Sequence, residues 1–376
     1  MRKYFTILFL LVAVITVYAQ QTITKSIIHD GLDREFIMYI PASYSGNSSV
    51  PLVFNFHGYT STATEQMIYG DFRPIADTAG FIVVHPQGTL LNGVTHWNVG
   101  GWTVGSTVDD VGFTEAMIDS ISAEYNIDLS RIYSTGMSNG GFMSFLLSCQ
   151  LSDKIAAIAS VTGSMTPEIY DFCNPTHPSP ILQFHGTSDL VVPYNGEVWT
   201  RSIEDVIQYW VDYNNCNTVP VITNLPDIDP LDGSTVIHYA YEGGTDDIAT
   251  EHFKIIGGGH TWPGSPVGGF GTNYDINASV EIWNFFLRYE LNDGTTDIVN
   301  TQFEQAINIY PNPSSSVITI ENNFGEKINF EIISISGTKV KEGLIRSSNH
   351  QVDLTGLHAG MYFIKVGNQV LKINKR

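Results

Sequence analysis

Between Pro51 and Ile256 the chain alternates short β-type runs with longer segments of helical period, and this alternation restricts the fold more than any other feature. The runs are Leu52 to Phe56, Phe81 to Val84, Arg131 to Ser134, Ala156 to Val161, Ile181 to Phe184 and Phe253 to Ile256. Several are continuously apolar, as strands buried on both faces of a sheet must be. Val108 to Tyr125, Ser202 to Tyr213 and Ala278 to Tyr289 read as helices; in the first, Val111, Ala116, Ile118, Ile121 and Tyr125 recur near the helical period. Strands alternating with such helices predict an α/β fold on a mostly parallel sheet.

After Tyr289 the texture changes. Asn292 to Asn300 is polar and turn-rich and reads as a linker. Beyond it, Val317 to Ile320, Phe330 to Ile335 and Tyr362 to Val366 alternate in hydrophobicity between Pro, Gly and Asn, the pattern of a small all-β sandwich. Charge divides the chain at the same place. Residues 20–303 hold 8 Lys and Arg against 32 Asp and Glu, net −24, whereas residues 304–376 hold 8 against 6. The total of −20 repels phosphate backbones and anionic lipid, which argues against a nucleic-acid partner.

At the N-terminus, Arg2 and Lys3 precede an apolar stretch, Tyr4 to Tyr18, and a small residue at Ala19. This is the pattern of a Sec signal peptide, too short for a membrane span, so the mature protein is expected to be exported with no membrane span after cleavage. The expected divisions are therefore a signal peptide (1–19), an α/β domain (20–291), a linker (292–303) and a β-domain (304–376). The three cysteines, Cys149, Cys173 and Cys216, have no metal-type spacing; in an oxidising compartment one pair can bridge and leave one thiol over.

Gly136-Met137-Ser138-Asn139-Gly140 fits G-x-S-x-G, a turn that lifts a serine hydroxyl above a sheet. The pattern alone is weak, but here it follows the run Arg131 to Ser134 and precedes the helix-compatible Gly141 to Leu147. A serine needs a base, and the base needs an orienting acid. Ile181 to Phe184 runs into His185-Gly186-Thr187-Ser188-Asp189, which puts Asp189 in a loop at a strand end. Phe253 to Ile256 runs into Gly257-Gly258-Gly259-His260, where three glycines let His260 reach over the sheet edge. Asp153, Asp171 and Asp212 compete as acids but read as solvated surface carboxylates, and His252 begins its strand, at the opposite edge. Two oxyanion donors are expected, the N–H of Asn139 after the nucleophile and that of Tyr59 in the loop His57-Gly58-Tyr59. His57, His85 and His185 take structural readings, and Asp109 with Asp110 reads as a helix start.

Taken in order, FHGYTST, HWNVGGW, VDDVGF, IDLSRIYSTGMSNGG, HGTSDLVVPY and GGGHTWPG resemble the secreted esterases that include polyhydroxybutyrate depolymerase-like proteins and feruloyl and acetylxylan esterases, carbohydrate esterase family 1. The resemblance covers residues 20–290 and implies an α/β-hydrolase fold with no metal and no organic cofactor. Carried over residue by residue, it implies Ser138, Asp189 and His260 as a catalytic triad with Tyr59 and Asn139 as oxyanion donors. Many relatives have four cysteines near these positions; with no mate for Cys216 before His260, the resemblance implies a Cys149–Cys173 disulfide and a free or buried Cys216.

The tail is similar to the C-terminal sorting domains of type IX secretion, through Ile309-Tyr310-Pro311-Asn312-Pro313, Ile335-Ser336-Gly337, Asp353 to Leu357, Gly360 to Phe363 and the basic end Lys372 to Arg376. A carbohydrate-binding module is the competing reading, but the tail has no Trp to stack on a sugar. Tyr59, Trp97, Trp102, Trp199 and Trp262 are the aromatics near the expected site; Trp262, two residues after His260, leads as a substrate contact, followed by Trp97.

Together these readings predict a serine esterase, secreted or held at the cell surface after passage through the periplasm. Its expected substrates are feruloyl or acetyl esters of plant cell-wall polysaccharide, or short hydroxyalkanoate polyesters, and its expected partner in export is the type IX machinery. A non-catalytic adhesin on a hydrolase scaffold and a serine peptidase are the rivals.

Overall fold

The computed structural model describes residues 20–291, 307–312, 314–322, 327–334, 339–347, 349–358, 360–366 and 369–376. The expected signal peptide, 1–19, and linker, 292–303, lie outside the described residues. The chain divides into two compact units, Met1–Asp293 and Gly294–Arg376.

In the first unit an antiparallel hairpin, β1 (Gln21–His29) and β2 (Leu32–Ile40), is followed by β3 (Val50–Phe56), α1 (Ala63–Tyr69), α2 (Arg73–Ala79) and β4 (Ile82–Pro86). A small hairpin, β5 (Thr89–Leu91) and β6 (Val94–His96), leads to α3 (Asp110–Glu124), β7 (Ile127–Met137), α4 (Asn139–Gln150) and β8 (Ala157–Val161). Then come α5 (Pro167–Phe172), β9 (Ile181–Gly186), α6 (Ile203–Tyr213), β10 (Val221–Asn224), β11 (Thr235–Tyr241), β12 (Thr250–Ile256) and α7 (Ala278–Phe286).

Ten strands form one sheet in the order β1-β2-β4-β3-β7-β8-β9-β12-β11-β10. The six from β4 to β12 run parallel, while β1 and β2 on one side and β11 and β10 on the other are antiparallel additions. The parallel strands are the apolar runs of the sequence. The outer strands escape that pattern because they are only half covered: β1 alternates between exposed and half-buried positions, and β10 is exposed throughout.

Helices cover both faces. Leu52, Phe54 and Phe56 of β3 point into a core shared with Phe113 of α3, Phe142 of α4 and Trp210 of α6, while the intervening Val53 points into a second core with Ala76 of α2 and Phe286 of α7. The first of these helices begins later than its periodicity suggests. Asp109 Oδ1 accepts the Gly112 N–H at 2.8 Å and caps it, which fixes the start at Asp110. Asp110 is buried: its Oδ1 accepts from Arg34 Nη2 at 2.6 Å and its Oδ2 from the Asn98 N–H at 2.7 Å. That carboxylate therefore ties β2, α3 and the segment after β6 together.

The second unit contains β13 (Ile307–Tyr310), β14 (Val317–Asn322), β15 (Ile328–Ser334), β16 (Lys339–Ile345), β17 (Asn349–Asp353), β18 (Gly360–Val366) and β19 (Gln369–Lys375). They form a three-stranded sheet, β13-β14-β17, and a four-stranded sheet, β16-β15-β18-β19. Ile318, Ile320 and Val352 of the first share one core with Phe330, Ile332, Ile345, Ile364, Val366 and Ile373 of the second, as in a sandwich.

His57, His85, His185 and His252 are buried within the ten-stranded sheet or at its strand ends. Burial lowers the pKa of His57 and His185 to about 4 and that of His85 and His252 to about 3, so all four are neutral in the folded protein near neutral pH. An unfolded histidine titrates near about 6.5. The folded values lie below it, so the unfolded chain takes up the extra protons: stability is full above about pH 6.5 and falls as pH drops toward the folded values. Each histidine removes up to about 1.4 kcal/mol per pH unit in that window. Calorimetry of this unit should find a melting temperature nearly flat from about pH 8 to 6.5 and falling steeply by about pH 5.

Candidate active site

β7 rises to Met137, and at Ser138 the chain turns into α4 with φ 54° and ψ −118°. For a residue with a side chain this conformation costs about 1–3 kcal/mol. It is held by the Ser138 N–H donating to the Val161 carbonyl of β8 at 2.8 Å and by the Phe142 N–H donating to the Ser138 carbonyl at 3.0 Å.

The flanking glycines are required by close approach. A Cβ on Gly136 would lie 2.6 Å from the Phe56 carbonyl oxygen, and one on Gly140 only 2.2 Å from the same oxygen. The end of β3 therefore passes directly against the turn that carries Ser138. The neighbouring strand ends meet in the same way, since a Cβ on Gly186 at the end of β9 would lie 2.2 Å from the Gly258 carbonyl oxygen after β12.

That second approach brings Asp189 and His260 together. Asp189 Oδ1 accepts the N–H groups of Val191 and Val192 at 2.8 and 2.9 Å, and its Oδ2 lies 2.7 Å from His260 Nδ1. Burial disfavours the carboxylate charge. The hydrogen bond and charge of His260, the nearby His185 and the Val192 N–H outweigh it and hold Asp189 below its ordinary value. His185 is itself neutral and fixed: Nε2–H donates to the Val192 carbonyl at 2.8 Å, 3.4 Å from Asp189 Oδ2, and Nδ1 accepts from Gln183 Nε2 at 3.0 Å.

A cavity of about 410 Å³ opens at this point. Ser138, His260, Gly58 and Tyr59 line it, with Met137, Gln66, Ile68 and Tyr69 of α1, and Val267 forming further wall. Asp189 lies behind His260 and is 3% exposed. The N–H groups of Tyr59 and Asn139 have no acceptor among the described residues. Asn139 is the first residue of α4, whose leading N–H groups have no partner within the helix. The arrangement offers a hydroxyl, an imidazole backed by a carboxylate, and two free backbone donors.

Two expected substrate contacts are corrected. Trp262 is 1% exposed; its indole donates to Ser279 Oγ at 3.1 Å and its ring meets Phe72 edge-on. Trp97 is wholly buried beneath the loop after β3. Neither lines the cavity: the nearness of Trp262 to His260 in sequence does not determine where its ring points, and the Trp97 indole is turned to the His57 carbonyl. The cavity wall contributed by α1 escaped the sequence reading. Thr62-Ala63-Thr64-Glu65 carries the Ser/Thr-x-x-Glu signature of a helix start, and Thr62 Oγ1 does accept the Glu65 N–H at 3.2 Å.

Cys149 at the end of α4 is bonded to Cys173, which follows α5, with Cα atoms 5.0 Å apart. Cys216 is a buried free thiol. Among the described residues, His29, Asp30 and Asp109 alone have metal-like spacing, and none of them lines the Ser138 cavity. Asp109 caps α3, Asp30 sits in the β1–β2 turn at φ 48°, and His29 Nε2 is 3.2 Å from Asp109 Oδ2, so ordinary structure explains all three.

A parallel-centred sheet with a serine on the turn after a central strand defines the α/β-hydrolase class. Residues 109–215 match the family model for Phospholipase/Carboxylesterase, and residues 308–376 match that of the Secretion system C-terminal sorting domain. Feruloyl esterase B of Piromyces equi is 33% identical over 198 residues, 50% of this chain and 37% of the relative. The bifunctional acetylxylan esterase/xylanase XynS20E of Neocallimastix patriciarum is 28% identical over 232 residues, 61% of this chain and 31% of that one. These matches thus span about a third of each relative's length. A probable feruloyl esterase C of Aspergillus clavatus is 26% identical over 255 residues, 68% of this chain and 83% of its own length. The structure of acetyl xylan esterase from Aspergillus awamori shares the fold, with a TM-score of 0.51 and 14% identity over 70% of this chain and 98% of that one. The chain is thus a homologue of the feruloyl and acetylxylan esterases, with a type IX sorting domain that marks it for secretion or surface export. No helix among the described residues is long and apolar enough to cross a membrane.

The two kinds of glycine contact make a testable contrast. Gly140→Ala should destabilise the unit by about 1–3 kcal/mol or more, because backbone must move to admit the methyl group. Gly58→Ala, whose Cβ would meet Ser138 Cβ at an ordinary 3.5 Å, should fold with nearly unchanged stability in urea denaturation.

Proposed function

We propose that the chain is a serine carboxylic-ester hydrolase that works through an acyl-enzyme on Ser138. One juxtaposition carries the reading: a serine held at positive φ opens onto the same cavity as a histidine whose Nδ1 is 2.7 Å from a buried carboxylate. With Nδ1–H donated to Asp189, His260 Nε2 is free to take the Ser138 hydroxyl proton as Oγ attacks the ester carbonyl. The N–H groups of Tyr59 and Asn139 receive the charge that develops on the carbonyl oxygen. His260 returns the proton to the leaving alcohol, then activates a water that releases the acid and restores Ser138.

The substrates proposed are feruloyl or acetyl esters of plant polysaccharide, or short hydroxyalkanoate polyesters. Relatives named as feruloyl and acetylxylan esterases support the first two, and the apolar wall of Met137, Ile68, Tyr69 and Val267 suits an aromatic acyl group. Comparing methyl ferulate, acetylated xylan, polyhydroxybutyrate and p-nitrophenyl butyrate tests this choice; a preference for none of them removes it. The proposed partner in export is the type IX machinery, reached through the periplasm, with Lys372, Lys375 and Arg376 as part of the signal.

The three site residues should act as a unit. Ser138→Ala and His260→Ala should each lower ester hydrolysis on the order of a million-fold, and the double change should add little. Asp189→Asn should cost about four orders of magnitude by misorienting the imidazole. Near-normal turnover in Asp189→Asn would remove that residue from the reading, and failure of a fluorophosphonate to label the folded chain at Ser138 would favour a binding protein.

Sorting and catalysis should be separable, since each unit has its own hydrophobic core. A chain ending at residue 300 should keep the turnover of soluble esters and the melting temperature of the first unit. In the native cell it should accumulate in the periplasm, as fractionation would show; normal export of the truncated chain would defeat the sorting role.

A further inference from the structure

Resting on the esterase reading, we infer that Trp97 is a positioning residue that sets the distance between the two oxyanion donors, through its indole N–H on one side and its own backbone on the other. The donors belong to different elements: Tyr59 to the loop after β3, and Asn139 to the start of α4. Trp97 is hydrogen-bonded to both elements, at His57 in the loop after β3 and at the side chain of Asn139. Its indole N–H donates to the His57 carbonyl at 2.9 Å. Its backbone N–H donates to Asn139 Oδ1 at 2.7 Å, and its backbone carbonyl accepts from Asn139 Nδ2 at 3.1 Å. The side chain of Asn139 is thus clasped at both ends by one residue, which fixes the start of α4 and with it the Asn139 main-chain N–H.

The β3 loop is fixed by the same neighbourhood. His57 Nε2 accepts the Gly88 N–H at 2.9 Å, so the imidazole proton is on Nδ1, which donates to the Gly58 carbonyl at 2.7 Å. Gly58 C=O and Tyr59 N–H belong to one trans peptide plane and point in opposite directions. Holding the carbonyl inward therefore turns the Tyr59 N–H outward. The Thr60 N–H, donating to the Thr95 carbonyl of β6 at 3.0 Å, pins the next peptide to the strand that leads into Trp97. Trp97 is wholly buried, packs edge-on against Phe56 at 5.0 Å and lies 4.9 Å from the His57 ring, while its neighbour Asn98 is anchored by buried Asp110. A brace seated this firmly has no freedom to follow either donor; the donors follow it.

The indole nitrogen can be tested separately from the ring's bulk. Trp97→Phe deletes the N–H, and benzothienylalanine placed at position 97 replaces it with sulfur at nearly constant shape, so folding is kept even where Phe leaves a gap. With p-nitrophenyl butyrate, both variants should lose at least about tenfold in kcat with KM within about twofold, less than the 10²–10³ for removing an oxyanion donor outright. Phenylboronic acid, which forms a tetrahedral adduct on serine, should bind more weakly by a comparable factor. Unchanged kcat in the benzothienylalanine protein, or a rise in KM alone, would overturn the inference. Ester hydrolysis by the unaltered chain that Ser138→Ala abolishes upholds the esterase reading whichever way Trp97 falls; no hydrolysis by the unaltered chain overturns both.

Discussion

The candidate site depends on backbone touching backbone where the central strands end. Phe56 at the tip of β3 reaches the turn after β7 because Gly136 and Gly140 have no Cβ, and β9 reaches the loop after β12 because Gly186 has none. These approaches bring the strand-end loops together, and Ser138, His260, Gly58 and Tyr59 line one cavity. Parallel strands make this possible, since all of their C-terminal ends lie on the same side of the sheet. The serine's positive φ is tolerated because bonds to β8 and within α4 leave the turn no alternative path.

Behind the residues that face the cavity is a layer of polar groups that never reach it. His57, His185 and Asp110 are buried, and each makes hydrogen bonds to the backbone of a loop: Gly58 and Gly88, Val192, and Asn98 respectively. Burying such groups is unfavourable unless their partners are in place, so these loops have one low-energy arrangement. The histidines do this work only while uncharged, which makes the site's geometry and the acid stability of the unit two results of the same burial.

The parallel strands were legible because burial on two faces leaves unbroken apolar runs such as Phe81 to Val84. β1, β10 and β11 were not, because strands covered on one face or neither look like any polar-apolar mixture. In the second unit, Lys339–Ile345 and Asn349–Asp353 were passed over for the same reason, their charged and amide side chains facing outward on thin sheets. The serine, acid and histidine positions could be read from strand ends and glycines, since those signals are local. The directions of Trp97 and Trp262 could not, because a side chain's aim depends on the path of a loop and on what packs beneath it. Thr62-Ala63-Thr64-Glu65 was a visible helix start whose consequence, a cavity wall from α1, needed the third dimension.

The depth of Asp189 has a consequence for the water in which such a protein can work. Its carboxylate side chain is fully buried, and His260 closes over it at 2.7 Å, well inside the Debye length of about 8 Å in physiological saline. Dissolved ions cannot come between the two. Most acidic groups among the described residues 20–291, in contrast, are exposed or half-buried, where salt weakens their mutual repulsion. Rising ionic strength therefore weakens the mutual repulsion of these acidic groups while leaving the Asp189–His260 pair undisturbed.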